Sequence, residues 1–222
     1  MFNNMTIKSR LVFVMGMLLL LLMGIGSLGV YGVKQTSDSI GSVYVENTVP
    51  LGDLILVGDR MQRVHLDTEM AAYARSAGMV KEWQTVSDQR DAEIAAIWQK
   101  YRATALMPEE VSLAENFNRQ WKTYVESRNR TMALAAAGDH AAAIANSASD
   151  GTPKFDAVHA TLFKLLELQR DEAARKYAEA QNDYQSIFMT MATMIALGIL
   201  LAVMARFLLV RAFITPPGAC RT

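Results

Sequence analysis

Two pairs of polar side chains in this chain have the chemistry to bind a small anion. Arg60 and Arg63 lie one turn apart in a segment of helical periodicity, and a guanidinium pairs with a carboxylate through two parallel hydrogen bonds. Thr152 and Lys154 lie at a predicted helix start, where a hydroxyl, backbone N–H groups and an ammonium group attract negative charge. Together the four residues suggest a site for a small carboxylate such as an organic or amino acid.

Each pair also has a purely structural interpretation. The two arginines can form a solvated helix face with Asp59 and Asp67. The hydroxyl of Thr152 can simply cap its helix, with the neighbouring lysine in solvent. Both interpretations stay open from the sequence.

Other residue types that often mark functional sites are interpreted as structural here. The histidines share no metal-ligand spacing, and the sole cysteine, Cys220, lies in the C-terminal tail, so neither a metal nor a cofactor is expected. Tryptophans and tyrosines recur at helical spacing, which favours core packing over a ligand cage. No nucleophile–base set or phosphate loop is present, so we do not expect an enzyme. The side chains concerned are His65, Trp83, Trp98, Tyr101, Trp121, Tyr124, His140 and His159.

Two long uncharged stretches frame the segment that holds these residues. Residues 11–33 and 184–205 contain no charged side chain, and about 20 apolar residues suffice to cross a bilayer as a helix. Lys8 and Arg10 before the first stretch resemble the start of a signal peptide. The run is longer than the roughly 7–15 residues of such a peptide and no A-x-A-like site follows, so an uncleaved anchor is predicted.

Charge is distributed unevenly although the formal net charge is zero. Of the 22 basic residues, five lie in residues 1–10 and 206–222, which have no acidic residue, so residues 34–183 hold the other 17 against all 22 acidic ones. Short basic flanks stay in the cytoplasm. We therefore expect both ends to be cytoplasmic and the acidic middle to be outside. The acidic excess argues against nucleic acid as a partner.

The middle segment is predicted to be all-α. Four apolar stripes recur at spacings of three and four residues, and short links between them favour an antiparallel up-down-up-down four-helix bundle between two transmembrane helices. Strands are not needed anywhere. The stripes begin Leu54, Val57, Met61, Val64, Thr68, Ala71; then Trp83, Val86, Arg90, Ile94, Ile97, Tyr101; then Leu113, Phe117, Trp121, Tyr124, Arg128, Ala135; then Phe155, Val158, Leu162, Leu165, Gln169, Ala173, Tyr177, Ala180, Tyr184.

Proline and glycine predict where these helices begin and end. Gly78 is expected just beyond the first helix, and Pro108 with acidic neighbours starts the third. Gly138 ends the third helix, and a turn over residues 149–153 leads into the fourth, with Thr152 as its N-cap. The fourth stripe continues unbroken into the second uncharged stretch, whereas Gly41 and Pro50 are expected to interrupt the link from the first.

Several stretches together resemble one protein family. Residues 1–10 (Met-Phe-Asn-Asn-Met-Thr-Ile-Lys-Ser-Arg) lead directly into an apolar run, Pro108-Glu109 precedes a helix with Trp121-Lys122-Thr123-Tyr124, and Gly138-Asp139 ends it. Arg211-Ala212-Phe213-Ile214-Thr215-Pro216-Pro217 is similar to the Ile-Thr-x-Pro entrance of a HAMP domain. In this order, over residues 1–217, the chain resembles the sensory part of a bacterial methyl-accepting chemotaxis protein with a four-helix-bundle ligand-binding domain.

The resemblance implies an architecture and a set of partners. It implies a homodimer in the bacterial inner membrane, with residues 34–183 in the periplasm and residues 206–222 as a truncated entrance to a cytoplasmic HAMP domain. The signal is expected to be a small molecule or a periplasmic binding protein. A ligand shifts the fourth helix relative to the first, and residues 184–205 carry that shift inward. The kinase and its coupling protein are expected to be reached only through a downstream region.

The resemblance also implies a ligand site, with a departure. In the amino-acid receptors, arginines on the first bundle helix grip ligand carboxylates across the dimer interface, and the start of the fourth helix forms the opposite wall. Here only Arg63, with Arg60 a turn earlier, lies near the first of three family arginines. The later positions hold Asp67 and a residue near Ala71, so recognition of aspartate or serine is not implied.

Two other functions fit the same layout. The bundle is equally suited to be the input domain of a sensor histidine kinase or of a cyclic-dinucleotide enzyme. A membrane-anchored helical adaptor without a small ligand also remains open.

Overall fold

The computed structural model describes residues 7–214, which form helices and short links without a strand. Cys220 and the Thr215–Pro217 part of the HAMP-like motif lie outside the described residues. The prediction of an all-α chain with a four-helix bundle is confirmed. In chain order the elements are α1 (Ile7–Val43), a first π-helical turn (Tyr44–Thr48), α2 (Val49–Ala72), α3 (Ala77–Arg102), α4 (Pro108–Ala136), α5 (His140–Asn146), a second π-helical turn (Ser147–Gly151) and α6 (Thr152–Ile214).

The chain divides into two compact units. Residues 41–176 form the bundle unit, and residues 1–40 with 177–222 form the other, which we call the paired-helix unit. The predicted limits of the membrane spans, at 11–33 and 184–205, stay predictions.

In the bundle unit, neighbouring helices run in opposite directions. Among contacting pairs, the residue number rises along one helix while it falls along the next. From α2 to α3, Asp53 meets Lys100 and Asp67 meets Arg90. Between α4 and α6, Glu110 meets Gln169 while Tyr124 meets Phe155 further along. The bundle is therefore antiparallel, with α2, α3, α4 and α6 as its four rods.

The core consists of the predicted stripes. All members of the first stripe are buried, as are Phe117 and Tyr124 of the third and Leu162 of the fourth. The prediction that the aromatic residues pack in the core is correct for Trp98, whose ring lies 4.1 Å from that of Phe117, centroid to centroid. Tyr177, predicted in the fourth stripe, is exposed, because it lies beyond the last residue of the bundle unit.

Two π-helical turns replace interruptions that were predicted at prolines. The expected break near Pro50 is instead the first π-turn, and the expected turn over residues 149–153 is the second π-turn, which joins α5 to α6 without a break. A proline within a helix donates no backbone hydrogen bond and its ring crowds the carbonyl four residues earlier. In each case the wide π-helical turn before the proline accommodates both the missing N–H and the crowded carbonyl. Thr152 has helical φ and ψ and is not an N-cap.

The link between α2 and α3 also differs from the prediction. α2 ends at Ala72, and Ser76 caps α3 by accepting a hydrogen bond at its Oγ from the backbone N–H of Met79, at 3.3 Å. Gly78, predicted as the terminator of the first bundle helix, is therefore inside the first turn of the second. The predicted start at Pro108 and the break at Gly138 are confirmed, and Gly138 has a φ of 84°.

In the paired-helix unit, α1 and α6 run antiparallel at close range. A Cβ added at Gly32 would lie 2.8 Å from Ile187 Cγ2, and one added at Gly29 would lie 3.5 Å from Met191 Cε. The amide of Gln35 donates from Nε2 to Asp183 Oδ2 at 3.2 Å. Glycine at position 32 thus permits an approach of the two helices that a larger residue would prevent.

Candidate functional site

The two candidate arginines lie on the outer face of α2 and share one carboxylate. Arg63 donates from Nε to Asp59 Oδ2 at 3.0 Å, and Arg60 donates to Asp59 and to Glu93 of α3. The Arg63 hydrogen bond, followed by the neighbouring positive charges, holds the pKa of Asp59 below its usual range. The hydrogen bond to Glu93 raises the pKa of Arg60.

Arg63 retains capacity to bind a further anion. Its side chain is 55% exposed, and within the described residues its terminal guanidinium nitrogens donate no hydrogen bond. Arg60 is 32% exposed and contacts two carboxylates, so a ligand would have to compete with both. The solvated-face interpretation is right about Asp59 but wrong about Asp67, which is buried.

The second candidate pair lies directly after the second π-turn. Lys154 donates from Nζ to both carboxylate oxygens of Asp150 at 2.7 Å, and this contact lowers the pKa of Asp150. Thr152 donates from Oγ1 to the carbonyl oxygen of Ser147 at 3.1 Å. Because the helix continues through this point, no free helix N-terminus is available to attract an anion here.

The two pairs lie at neighbouring levels of the bundle on adjacent rods. His65 of α2, two residues after Arg63, stacks on Phe155 of α6, one residue after Lys154, with ring centroids 4.2 Å apart. Among residues 7–214, no hydrogen bond or ion pair joins the two arginines to Thr152 or Lys154. The two pairs thus lie at neighbouring levels of the bundle, but within one chain they do not form a closed pocket.

His65 is the centre of an aromatic cluster between α2, α4 and α6. Its Nδ1 lies 3.3 Å from Tyr124 Oη, and its ring is parallel to that of Phe155 within 6°. Partial burial lowers the pKa of His65, against the opposing charges of Glu69 and Asp156. The interpretation of this histidine as a core-edge residue agrees with its position.

Sequence reasoning did not find the charged pairs that lie inside the bundle. Asp67 of α2 accepts hydrogen bonds from Arg90 and Ser87 of α3, and both Asp67 and Ser87 are buried. Arg128 of α4, with only 2% of its side chain exposed, donates from Nη1 to Asp91 Oδ2 at 2.8 Å. The signal was present, since Arg90 and Arg128 occupy positions in otherwise apolar stripes.

The described residues also bear on metal binding and on membrane location. Within the described part of the chain, no three His, Cys, Asp or Glu side chains converge to hold a metal ion. Over the same residues, two helical stretches are long and apolar enough to cross a membrane, and their most apolar windows have no buried residue. The two apolar stretches fit a membrane protein.

Comparison with known proteins agrees with this architecture. The family described as "Four helix bundle sensory module for signal transduction" matches residues 4–184. The methyl-accepting chemotaxis protein NahY of Pseudomonas putida is 26% identical over 196 residues, which cover 88% of this chain and 36% of that protein. The chain thus spans about a third of the length of the curated relative that it matches. With the family matched over most of its length and a bundle of the corresponding architecture, the chain belongs to the four-helix-bundle sensory modules of chemoreceptors.

Proposed function

We propose that the chain is the transmembrane sensory module of a methyl-accepting chemotaxis receptor. The bundle lies in the periplasm of a bacterium, residues 11–33 and 184–205 cross the inner membrane, and both ends are cytoplasmic. The basic flanks and the acidic middle support this orientation. The module has no catalytic activity of its own and acts by changing conformation.

One observation carries the proposal. α6 is a single helix from Thr152 to Ile214, so one element holds both a face of the bundle core and the second apolar stretch. A helix is stiff along its axis because each backbone N–H is bonded four residues back. A signal that shifts α6 in the bundle passes along it to a HAMP and kinase-control region, and the kinase and its coupling protein are reached only through that region.

We propose that the module works as a homodimer. The outer face of α2 exposes large apolar side chains at helical spacing, which in a monomer would remain in water. These are Ile55, Leu56, Leu66, Met70 and Tyr73. Arg63 lies within this stripe, so a second copy packed on α2 would bring the guanidinium to the interface.

We propose that the signal is a small carboxylate, an organic or amino acid, bound by Arg60 and Arg63 with Lys154 and Thr152. The open guanidinium of Arg63 supports this choice, since it can form a bidentate pair. Thr152 already donates its hydroxyl proton to Ser147, so its oxygen would accept a hydrogen bond from a hydroxyl or ammonium group of the ligand and would not bind the carboxylate itself. A periplasmic binding protein that presents its own carboxylate is the alternative form of the signal.

The test is ligand-dependent stabilisation of the full chain in lipid nanodiscs. A panel of organic and amino acids is screened by thermal unfolding. At one hundred times the dissociation constant, a ligand adds about 2.7 kcal/mol, which corresponds to a shift of roughly 5–10 °C for a chain of this size. Arg63→Ala should abolish the shift.

Arg170→Ala is the matched control, because Arg170 is an exposed arginine paired with a neighbouring aspartate at the other end of the bundle. It should keep the full shift. If no panel member stabilises the wild-type chain, the small-carboxylate proposal fails and an adaptor or an indirect sensor is favoured. An unchanged shift in Arg63→Ala would reject the assigned site.

A further inference from the structure

Four buried polar side chains form a continuous hydrogen-bonded chain at the end of the bundle where α2 begins. Asn47, in the first π-turn, donates from Nδ2 to Gln169 Oε1 at 3.2 Å. Gln169 donates from Nε2 to Glu110 Oε1, and the hydroxyl of Tyr101 donates to the same oxygen at 3.0 Å. Each of the four residues is at most 3% exposed. We call this set the base chain.

The base chain joins three rods of the bundle to the turn that precedes the fourth. Asn47 belongs to the turn that leads into α2, Tyr101 to the end of α3, Glu110 to the start of α4 and Gln169 to α6. The other carboxylate oxygen of Glu110 accepts from the backbone N–H of Met107, at 2.8 Å, in the α3–α4 link. Glu110 is thus held from three directions and gives Gln169 a fixed partner.

Hydrogen bonds of this kind restrict motion along the bundle axis more than apolar contacts do. Apolar side chains attract without direction, whereas a hydrogen bond weakens steeply when its angle or distance changes. Moving α6 by one residue displaces Gln169 by about 1.5 Å and turns it by about 100°. Such a step separates Gln169 from both Asn47 and Glu110 together.

A second contact at the same end supports the same alignment. Lys176 of α6 donates from Nζ to Glu46 Oε2 at 2.6 Å, and Glu46 is the residue before Asn47. The hydrogen bond from Lys176 is the largest cause of a lowered pKa at Glu46. Two consecutive residues of the first π-turn therefore hold α6, one from inside the bundle and one from the surface.

Two unfavourable features of Asn47 lower the free energy needed to open the base chain. Asn47 Oδ1 is buried without a hydrogen-bond partner among the described residues, and a buried acceptor left unpaired is unfavourable. Asn47 also lies in a π-helical turn, a rare conformation that often occurs at functional sites. Exposure of Asn47 to water would satisfy this oxygen and offset part of the hydrogen bonds lost.

We propose that the base chain is a register lock, which holds α6 at one axial position against the first π-turn and whose opening permits α6 to shift. In the proposed sensory function, these hydrogen bonds are the contacts that a signal must break. The role of the lock therefore rests on that proposed function. Tyr101 suits the lock because its phenol is protonated at neutral pH and can donate to Glu110, and burial raises the pKa of that hydroxyl further.

The test measures the alignment of α6 without any ligand. Spin labels are placed at Gln62→Cys on α2 and Ala174→Cys on α6, both exposed positions, in the full chain with Cys220→Ser. The labelled chain is diluted with unlabelled cysteine-free chain in nanodiscs, so that distances within one chain dominate in double electron–electron resonance. Because the labels lie several turns apart along the bundle, an axial shift changes their separation directly.

The wild-type lock should give one narrow distance distribution. Gln169→Leu should at least double its width or add a second population, and Asn47→Ala should widen it in the same direction, to a smaller extent. Thr161→Val is the matched control, since it removes two partly buried hydrogen bonds that join α6 to Gln120 and Asn116 of α4 at another level of the bundle. It should leave the distribution narrow.

Two results would overturn the lock. One is a distribution in Asn47→Ala and Gln169→Leu that is as narrow as in the wild type. The other is equal broadening in Thr161→Val, which would indicate general loosening of the bundle. If Gln169→Leu loses its helical circular dichroism, Asn47→Ala decides the test. Because no ligand is added, a negative ligand screen leaves this result intact, and failure of the lock leaves the screen intact.

Discussion

Two guanidinium groups inside the bundle are paired with carboxylates of the neighbouring helix. Burial raises the pKa of Asp91 despite the opposing charge of Arg128, so desolvation outweighs attraction at this carboxylate. Buried ion pairs often add little net stability, yet breaking one is strongly destabilising. The pairs Asp67–Arg90 and Asp91–Arg128 therefore serve better to fix the alignment of α3 against α2 and α4 than to stabilise the bundle.

The stability of the bundle should fall in mild acid because of His65. Its pKa in the folded chain is lowered from 6.5 by burial, so the folded state favours the neutral ring. The contribution is complete above pH 6.5 and is lost as the pH falls below that value towards the folded pKa. The slope is at most about 1.4 kcal/mol per pH unit.

Chemical unfolding of the full chain between pH 7.5 and 5, followed by tryptophan fluorescence, measures this slope. His65→Gln should have a flatter pH dependence in that window, whatever its stability at pH 7.5. An identical decline in wild type and His65→Gln would show that another group is responsible.

At the scale of elements, the ends of the helices are determined by single residues. Gly138 has a φ of 84°, and its backbone N–H donates to the carbonyl of Ala135 at 3.0 Å. Only glycine adopts such a φ without strain. Gly78, in contrast, lies in the first turn of α3 with ordinary helical geometry, and a Cβ there would meet only Ser76 Oγ at 3.8 Å.

Alanine at these two glycines should therefore have opposite effects. Gly138→Ala should destabilise the bundle by about 1 kcal/mol or somewhat more, and Gly78→Ala should stabilise it by up to about 1 kcal/mol. Thermal unfolding should show midpoints shifted by roughly 2–4 °C in each direction. A loss of stability in Gly78→Ala would contradict this placement and support the sequence-based prediction that Gly78 ends a helix.

The sequence predicted the rods better than the joints between them. Apolar spacing identified the stripes because side chains three and four residues apart share one face of a helix. Pro153 after Thr152 has the pattern of a helix start, yet the π-turn that ends at Gly151 leads into α6 without a break. Both arrangements relieve the missing N–H and the crowded carbonyl of a proline, so the local pattern does not choose between them.

The candidate site was less predictable than the fold. Arg60 and Arg63 were found because of their residue type and spacing. Glu93, a partner of Arg60, lies 33 residues away from it in the sequence, and whether the two meet depends on how α3 packs on α2. The base chain was missed for the same reason, since Asn47 and Gln169 are 122 residues apart and only the antiparallel packing joins them.

At the scale of the whole molecule, the proposed function requires the bundle and the two ends of the chain to lie on opposite sides of a membrane. The uncharged stretches predict two membrane crossings, the basic flanks predict their orientation, and the family match over residues 4–184 agrees with a sensory role. A bundle in the cytoplasm would have no access to an external signal. The orientation is thus the premise on which the ligand site and the register lock depend for their function.

Thiol accessibility tests that premise most directly, because the sole cysteine of the chain, Cys220, reports one side. Gln84→Cys with Cys220→Ser places one thiol on an exposed position of α3 as the opposite reporter. In intact spheroplasts, a membrane-impermeant maleimide should label the thiol introduced at Gln84, and it should label Cys220 in the unsubstituted chain only after permeabilisation. Labelling of Cys220 in intact spheroplasts, with protection of the thiol introduced at Gln84, would contradict the account.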